Sequence, residues 1–239
     1  MKGGDSIHRI DDAKIVLKSA TDKFSNIKTL YGKCEYDDSL SAELKLEIKY
    51  FLESIRSCLD YTTNYIFDTR CKQNFSEKEL LKVKNKIYFP NRKDKKFFDN
   101  YIKHSFIGLN PTDPVVLLWE KNQLFCNSSW VSKLCDLTNP TKHIELVKNT
   151  RTESGTINYM KIGGITFKNC TFKNCGHTIS LDNRPVSIKE FNTHPSIKNF
   201  NGHIKANYTF SQTNTPIIET LEEILEGATT YFSEFCSIL

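Results

Sequence analysis

The chain has 239 residues, 38% hydrophobic and 26% charged, with a formal net charge of +5 at neutral pH. That mixture excludes wholesale disorder and a collagen-like or coiled-coil rod, and a chain of this length can bury a full core without disulfide or metal staples. Met1-Lys2-Gly3-Gly4-Asp5-Ser6 lacks the apolar region of a secretory signal, and the longest strongly apolar run, Val115 to Trp119, falls far short of the roughly 20 residues of a spanning helix. The expectation is a soluble, cytoplasmic protein with no membrane partner, whose eight cysteines are reduced and whose Asn-x-Ser/Thr triplets carry no glycans.

Residues 10–31 predict an amphipathic helix, with Ile10, Ala13, Leu17, Ala20, Phe24, Ile27 and Tyr31 recurring at three and four and Gly32 expected to end it. Ser39 to about Cys71 predicts a longer one, because Leu40, Leu44, Ile48, Phe51, Ile55, Leu59, Thr62 and Ile66 form one stripe with no Gly or Pro between. Two such stripes in succession favour a bundle. Between Lys78 and His104 a short helical pattern, a Tyr88-Phe89-Pro90-Asn91 turn and a second short helix from Asp94 follow one another. This stretch carries nine basic and three acidic residues, a local +6 that leaves −1 for the rest of the chain.

Asn110-Pro111-Thr112-Asp113-Pro114 is a break in which Thr112 or Asp113 can cap a helix reaching Gln123, with Pro114 in its first turn. Trp130 to Leu137 predicts another helix, closed by Asn139-Pro140, with a fresh helical start from Thr141. From Arg151 the pattern alternates in the manner of strands, over 156–162, 165–167, 178–181, 186–188 and 204–210. Ile217, Leu221, Ile224, Leu225, Ala228, Tyr231, Phe232 and Phe235 mark a final helix. Phe167-Lys168-Asn169-Cys170 recurs as Phe172-Lys173-Asn174-Cys175. Two copies are too few for a stacked solenoid, which leaves coincidence or local strand pairing. The fold class expected is α+β: a mainly helical bundle over 1–150, a β-rich insert over 151–215, and a helix over 216–239 that packs back on the bundle.

Chemistry concentrates in two places. Asn139 ends one helix, and Lys142 and His143 are expected in the first turn of the next, within reach of an anion held at that helix N-terminus. Histidine exchanges protons near neutral pH, although one at an apolar helix start also serves as a structural residue. On the long helix Arg56 and Asp60 lie at i and i+4. Asp60 adjoins the apolar stripe and wants a partner, for which Arg56, Lys142 and His143 are the candidates.

Arg56-x-x-Leu59-Asp60-Tyr61, the Phe89-Pro90 turn, Leu134-x-x-Leu137-x-Asn139-x-x-Lys142-His143-x-x-Leu146 and Thr220-Leu221-Glu222-Glu223-Ile224 occur in that order. This layout, over roughly residues 40–235, resembles uncharacterised bacterial proteins with a HEPN-like helical bundle. The resemblance implies a dimeric or otherwise homo-oligomeric bundle of the toxin–antitoxin or phage-defence type. Many such proteins are metal-independent endoribonucleases that cut RNA through a paired Arg…His motif at the dimer interface, and others are inactive scaffolds. The Arg-Asn-x-x-x-His form aligns with Thr138-Asn139-Pro140-Thr141-Lys142-His143, where Asn139 and His143 match and Thr138 stands in place of the arginine.

On that resemblance His143 is the acid or base, Lys142 stabilises phosphorane charge, Asn139 orients the phosphate, and Asp60 with Arg56 positions them. Lys82, Lys84, Lys86, Arg92, Lys93, Lys95 and Lys96 are the candidate RNA-binding cations, with Tyr88, Phe89, Phe97, Phe98 and Tyr101 available for stacking or, equally, for core packing. Cys170, Cys175, His177, His194 and His203 lack the tight spacing of a structural zinc site, so no metal or cofactor is expected. The rival expectation is a non-catalytic subunit that uses the same bundle to hold a protein partner or antitoxin.

Overall fold

The computed structural model describes residues 4–34, 40–83, 86–141, 149–173, 179–181, 183–186 and 190–239. Its class is α+β, with seven α-helices and antiparallel sheets among the described residues. The chain divides into two compact units, one of residues 1–28, 43–147 and 218–239 and the other of residues 29–42 and 148–217. Among the described residues no helix is long and apolar enough to cross a membrane.

The first unit is helical. Helix α1 (Gly4–Lys33) buries Ala13, Leu17, Ala20, Phe24 and Ile27, and α2 (Ala42–Ile66) buries its stripe from Leu44 to Ile66. Phe24 and Phe51 meet with ring centroids 5.9 Å apart, and Lys23 reaches Glu47 at 3.4 Å. The long helix does not run regularly to Cys71. Phe67–Cys71 is a single π turn in which the Lys72 N–H reaches back to the Phe67 carbonyl, and this wider turn buries both Phe67 and Cys71.

Helix α3 (Glu77–Val83) buries none of its residues and is held by a capping box. The Ser76 N–H donates to Glu79 Oε2 at 2.9 Å, and the bonds from Ser76 hold the Glu79 carboxyl below its ordinary value. Helix α4 (Lys95–Ser105) is capped by Asp94, which accepts from the Phe97 N–H at 2.9 Å. Helix α5 (Pro114–Lys121) is capped by Asp113, with Pro114 in its first turn. Helix α6 spans Trp130–Thr141 and so runs through Asn139-Pro140, where the sequence predicts a stop. Pro140 stands in the last turn, where its missing N–H deprives only the Asp136 carbonyl of its ordinary partner.

Helix α7 (Ile217–Ser237) returns to this unit and buries Leu221, Ile224, Ala228, Tyr231 and Phe235, of which Leu221, Ile224 and Phe235 are each worth about 1.5–3 kcal/mol. Tyr231 is the junction. Its hydroxyl lies 3.0 Å from Thr62 Oγ1 of α2 and accepts from Trp119 Nε1 of α5 at 3.3 Å.

The second unit holds a four-stranded antiparallel sheet in the order β2-β1-β5-β6, from β1 (Asn149–Ile162), β2 (Ile165–Lys173), β5 (Ile197–Phe210) and β6 (Thr215–Pro216). A hairpin of β3 (Ile179–Leu181) and β4 (Arg184–Val186) contributes Val186 to the core with Ile157, Met160 and Phe191. Three packed pairs are spaced three residues apart rather than two: Ile157 and Met160, Phe167 and Cys170, Ile197 and Phe200. Each pair brackets an asparagine (Asn158, Asn169 or Asn199), and Asn169 and Asn199 have φ of 51° and 55°. One extra residue per strand, a bulge, returns the apolar set to the same face. The Phe-Lys-Asn-Cys recurrence follows from this: the bulge at Asn169 lets Phe167 and Phe172, five apart, pack on one side. Cys175 and the rest of the second copy after Lys173 lie outside the described residues.

The last turns of α1 belong to this second unit. Tyr31 accepts from the Tyr208 N–H at 2.9 Å, and the Tyr208 hydroxyl donates to the Cys34 carbonyl at 2.9 Å. Anchors on both sides of Gly32 carry the helix past its expected stop.

Candidate functional site

Residues 87–92 form no helix or strand, so neighbouring helices satisfy their backbone. Asp60 Oδ1 accepts from the Phe89 N–H at 3.2 Å, and Asn64 Nδ2, one turn further along α2, donates to the Ile87 carbonyl at 3.2 Å. From α4 the Tyr101 hydroxyl accepts from the Tyr88 N–H at 3.3 Å and donates to the Tyr88 carbonyl at 3.0 Å, and burial pushes that phenol up. The Arg92 N–H donates to Gln123 Oε1 at 3.0 Å. Phe89 is thereby held in the core, 7% exposed, with its ring 5.4 Å from that of Tyr231.

Arg56 lies one turn before Asp60 and crosses from α2 to α6. Its Nη1 donates to Thr138 Oγ1 at 2.9 Å and to Asn139 Oδ1 at 3.2 Å, and its Nε lies 4.0 Å from Asp60 Oδ2. The two charged side chains are only 23% and 25% exposed, so the guanidinium bonds are worth more here than on an open surface. Thr138 is buried and its hydroxyl donates a hydrogen bond to the Leu134 carbonyl at 2.8 Å, whereas Asn139 is exposed. Cys135, one turn before Asn139, completes the corner. Burial pushes its thiol up, against the pull of Arg56 and of a hydrogen bond with Asn91.

Arg56, Asp60 and Asn139 of the sequence-predicted set therefore come together beside residues 87–92. Lys142 and His143, and Lys84 of the predicted cations, lie outside the described residues. Among the remaining cations, Lys82, Lys86 and Lys96 are exposed. Arg92 lies over the Tyr101 ring at 3.8 Å, and Lys93 over Phe97 at 4.6 Å. Lys95 is bound to Glu120 at 2.6 Å and to Asp99 at 2.9 Å. Burial pulls its ammonium down, but the two carboxylates outweigh that and leave it raised. Tyr88 and Phe97 are about half exposed, at 48% and 49%, while Phe98 is buried in the core with Phe89.

Compared with protein-family models, with curated proteins and with solved structures, the chain matches none.

Among the described residues no three His, Cys, Asp or Glu side chains converge as metal ligands would, and Cys175 and His177 lie outside that set. Sequence reasoning did not assign Thr138, Cys135 or Asn91 to the corner. Cys135 lies four residues before Asn139, so spacing alone puts it on the Asn139 edge of α6. An extended run at Phe89-Pro90-Asn91 also needs side-chain partners for its backbone, and Asp60 and Asn64 are suitably spaced to supply them.

Proposed function

We propose that this protein binds RNA over residues 86–96 and acts on it, through a HEPN-like bundle, as a metal-independent endoribonuclease centred on Arg56, Asn139 and His143. The observation that carries this reading is the Arg56 guanidinium on Thr138 and Asn139. The linear motif lacks an arginine before Asn139, and the Arg56 guanidinium of α2 lies within hydrogen-bond distance of Thr138 and Asn139. A planar guanidinium can take two phosphate oxygens at once, which Lys142 cannot.

In the proposed step the 2′-oxygen forms a bond to the adjacent phosphorus, the bond from phosphorus to the 5′-oxygen breaks, and a cyclic phosphate and a 5′-hydroxyl result. His143 moves the proton, taking it from the 2′-hydroxyl or giving it to the leaving oxygen, a contribution of about 10²–10⁴ in rate. Exposed Phe97 and Tyr88, beside Lys93, Lys96 and Lys86, offer stacking next to charge for an unpaired strand.

A second reading rests on the same contact. The bonds of Arg56 to Thr138 and Asn139 also join α2 to α6, as they would in a scaffold with no chemistry. Incubating the purified chain with mixed RNAs in EDTA separates the two, wild type against His143→Ala and Arg56→Ala, with circular dichroism as the check on folding. Cleavage lost in folded His143→Ala supports the nuclease. Failure of the wild type to cleave any RNA leaves the scaffold.

A further inference from the structure

A second basic surface lies on the sheet, separate from the residues used above. Residues 149–216 contain eight Lys and Arg against three Asp and Glu, a net +5 that equals the charge of the whole chain. The pleat and its bulges sort these residues by face. Phe167, Cys170, Ile197 and Phe200 pack with the core, while Lys161, Lys168, Lys198, Asn201 and His203 are exposed.

Register places the exposed set in rows across the three long strands. Lys161 pairs with Thr166 and Lys198, Tyr159 pairs with Lys168 and Asn201, and Thr156 pairs with Thr171 and His203. The Lys168 ammonium lies over the half-buried Tyr159 ring at 5.9 Å, and Asn158 Nδ2 donates to Asn201 Oδ1 at 3.3 Å. No exposed position in these rows is acidic. Of the three acids in the stretch, Glu190 is off the three strands, Glu153 is in register with Ala206, outside these rows, and Asp182 lies outside the described residues.

We propose that this sheet face binds single-stranded nucleic acid. The lysines meet phosphates, Tyr159 offers a ring on which a base can stack, and the Asn201 and Asn158 amides present both donors and acceptors to base edges. Three strands span about 10 Å across, and successive rows are about 6.6 Å apart, a flat array that follows an extended strand and, among the described residues of these rows, has no projecting element to enter a duplex groove. An acidic protein surface would use the lysines but has no need of an aromatic ring in the middle row. The proposal stands independently of cleavage at Arg56 and His143.

Fluorescence anisotropy of the full chain with a labelled RNA of about 12 nucleotides tests it. Lys161→Glu combined with Lys168→Glu is expected to weaken binding at least tenfold and to flatten the salt dependence by about 1.4 in log–log slope, at about 0.7 per lost phosphate contact. Tyr159→Ala is expected to weaken binding about five- to tenfold with the slope unchanged. Circular dichroism confirms that each variant is folded, and Lys198→Glu serves as a second charge variant. Unchanged affinity in the folded sheet variants overturns the proposal, as does an RNA duplex or an anionic phosphatidylserine vesicle binding as tightly as the single strand. Lys93→Glu with Lys96→Glu separates the surfaces. If only that pair abolishes binding, the sheet proposal falls and the bundle reading stands; if only the sheet variants do, the reverse holds.

Discussion

Arg56 carries two burdens that substitution can separate. Arg56→Ala removes a fork that satisfies Thr138 and Asn139 together, and the expected cost is about 1–2 kcal/mol in urea unfolding, since Thr138 keeps its bond to Leu134. Arg56→Lys is expected to recover less than half of that, because both bonds leave one nitrogen, Nη1, at the tip of a side chain longer than lysine's, and an ammonium is the more strongly hydrated cation. Buried thiols contribute to the alkaline limit. Burial pushes Cys58 and Cys71 from the ordinary 9.0 up to about 12. In the folded protein they hold their protons where the unfolded chain loses them. Their contribution is therefore complete below about pH 9 and is lost as the pH rises toward about 12, at about 1.4 kcal/mol per pH unit per thiol. Urea midpoints measured from pH 8 to 11 should fall accordingly, and Cys58→Ser should flatten the decline. The pairing of Arg56 with Asp60 is legible at this scale from i, i+4 spacing alone. The reach to Thr138 is not, because it joins residues 82 apart and neither helix signals its neighbour in a polar edge.

Helices announce themselves through their stripes, and the stripes of α1, α2 and α7 are buried nearly residue for residue. Caps are nearly as legible: of the two candidates before Pro114, Thr112 and Asp113, the cap is Asp113. Its carboxylate also pairs with Arg70, whose side chain is 44% exposed, so Asp113→Ala removes a cap and a partly solvated ion pair, at an expected cost of about 1–2 kcal/mol. Asp113→Asn retains an acceptor for the Val115 N–H and should cost about half as much in thermal unfolding. Gly227 on α7 shows the opposite relation between rule and structure. Alanine there would improve helix propensity by about 1 kcal/mol. A Cβ, however, would stand 2.5 Å from the Trp130 ring, and Gly227→Ala is expected to lower the melting temperature despite the propensity gain. Extra residues are what element-level reading overlooks. The π turn at Phe67–Cys71 and the bulges at Asn158, Asn169 and Asn199 each shift a periodic pattern by one, which breaks an alternation count and hides a face of one charge.

At the scale of the molecule, Tyr231 ties together α2, α5 and α7, whose contributing residues lie 169 and 112 positions from it in sequence. Tyr231→Phe keeps the ring in place and removes the hydroxyl, leaving Trp119 Nε1 buried without its acceptor. The expected loss is about 1–3 kcal/mol, read by thermal unfolding. The order of synthesis gives this link a further consequence. A ribosome completes every strand of the β unit before it reaches Tyr231, so the sheet has all its partners while α2 and α5 still wait for α7. The helical unit, on a nascent chain, is the one that must finish last. Until α7 arrives, its apolar stripes are the surface a chaperone would find.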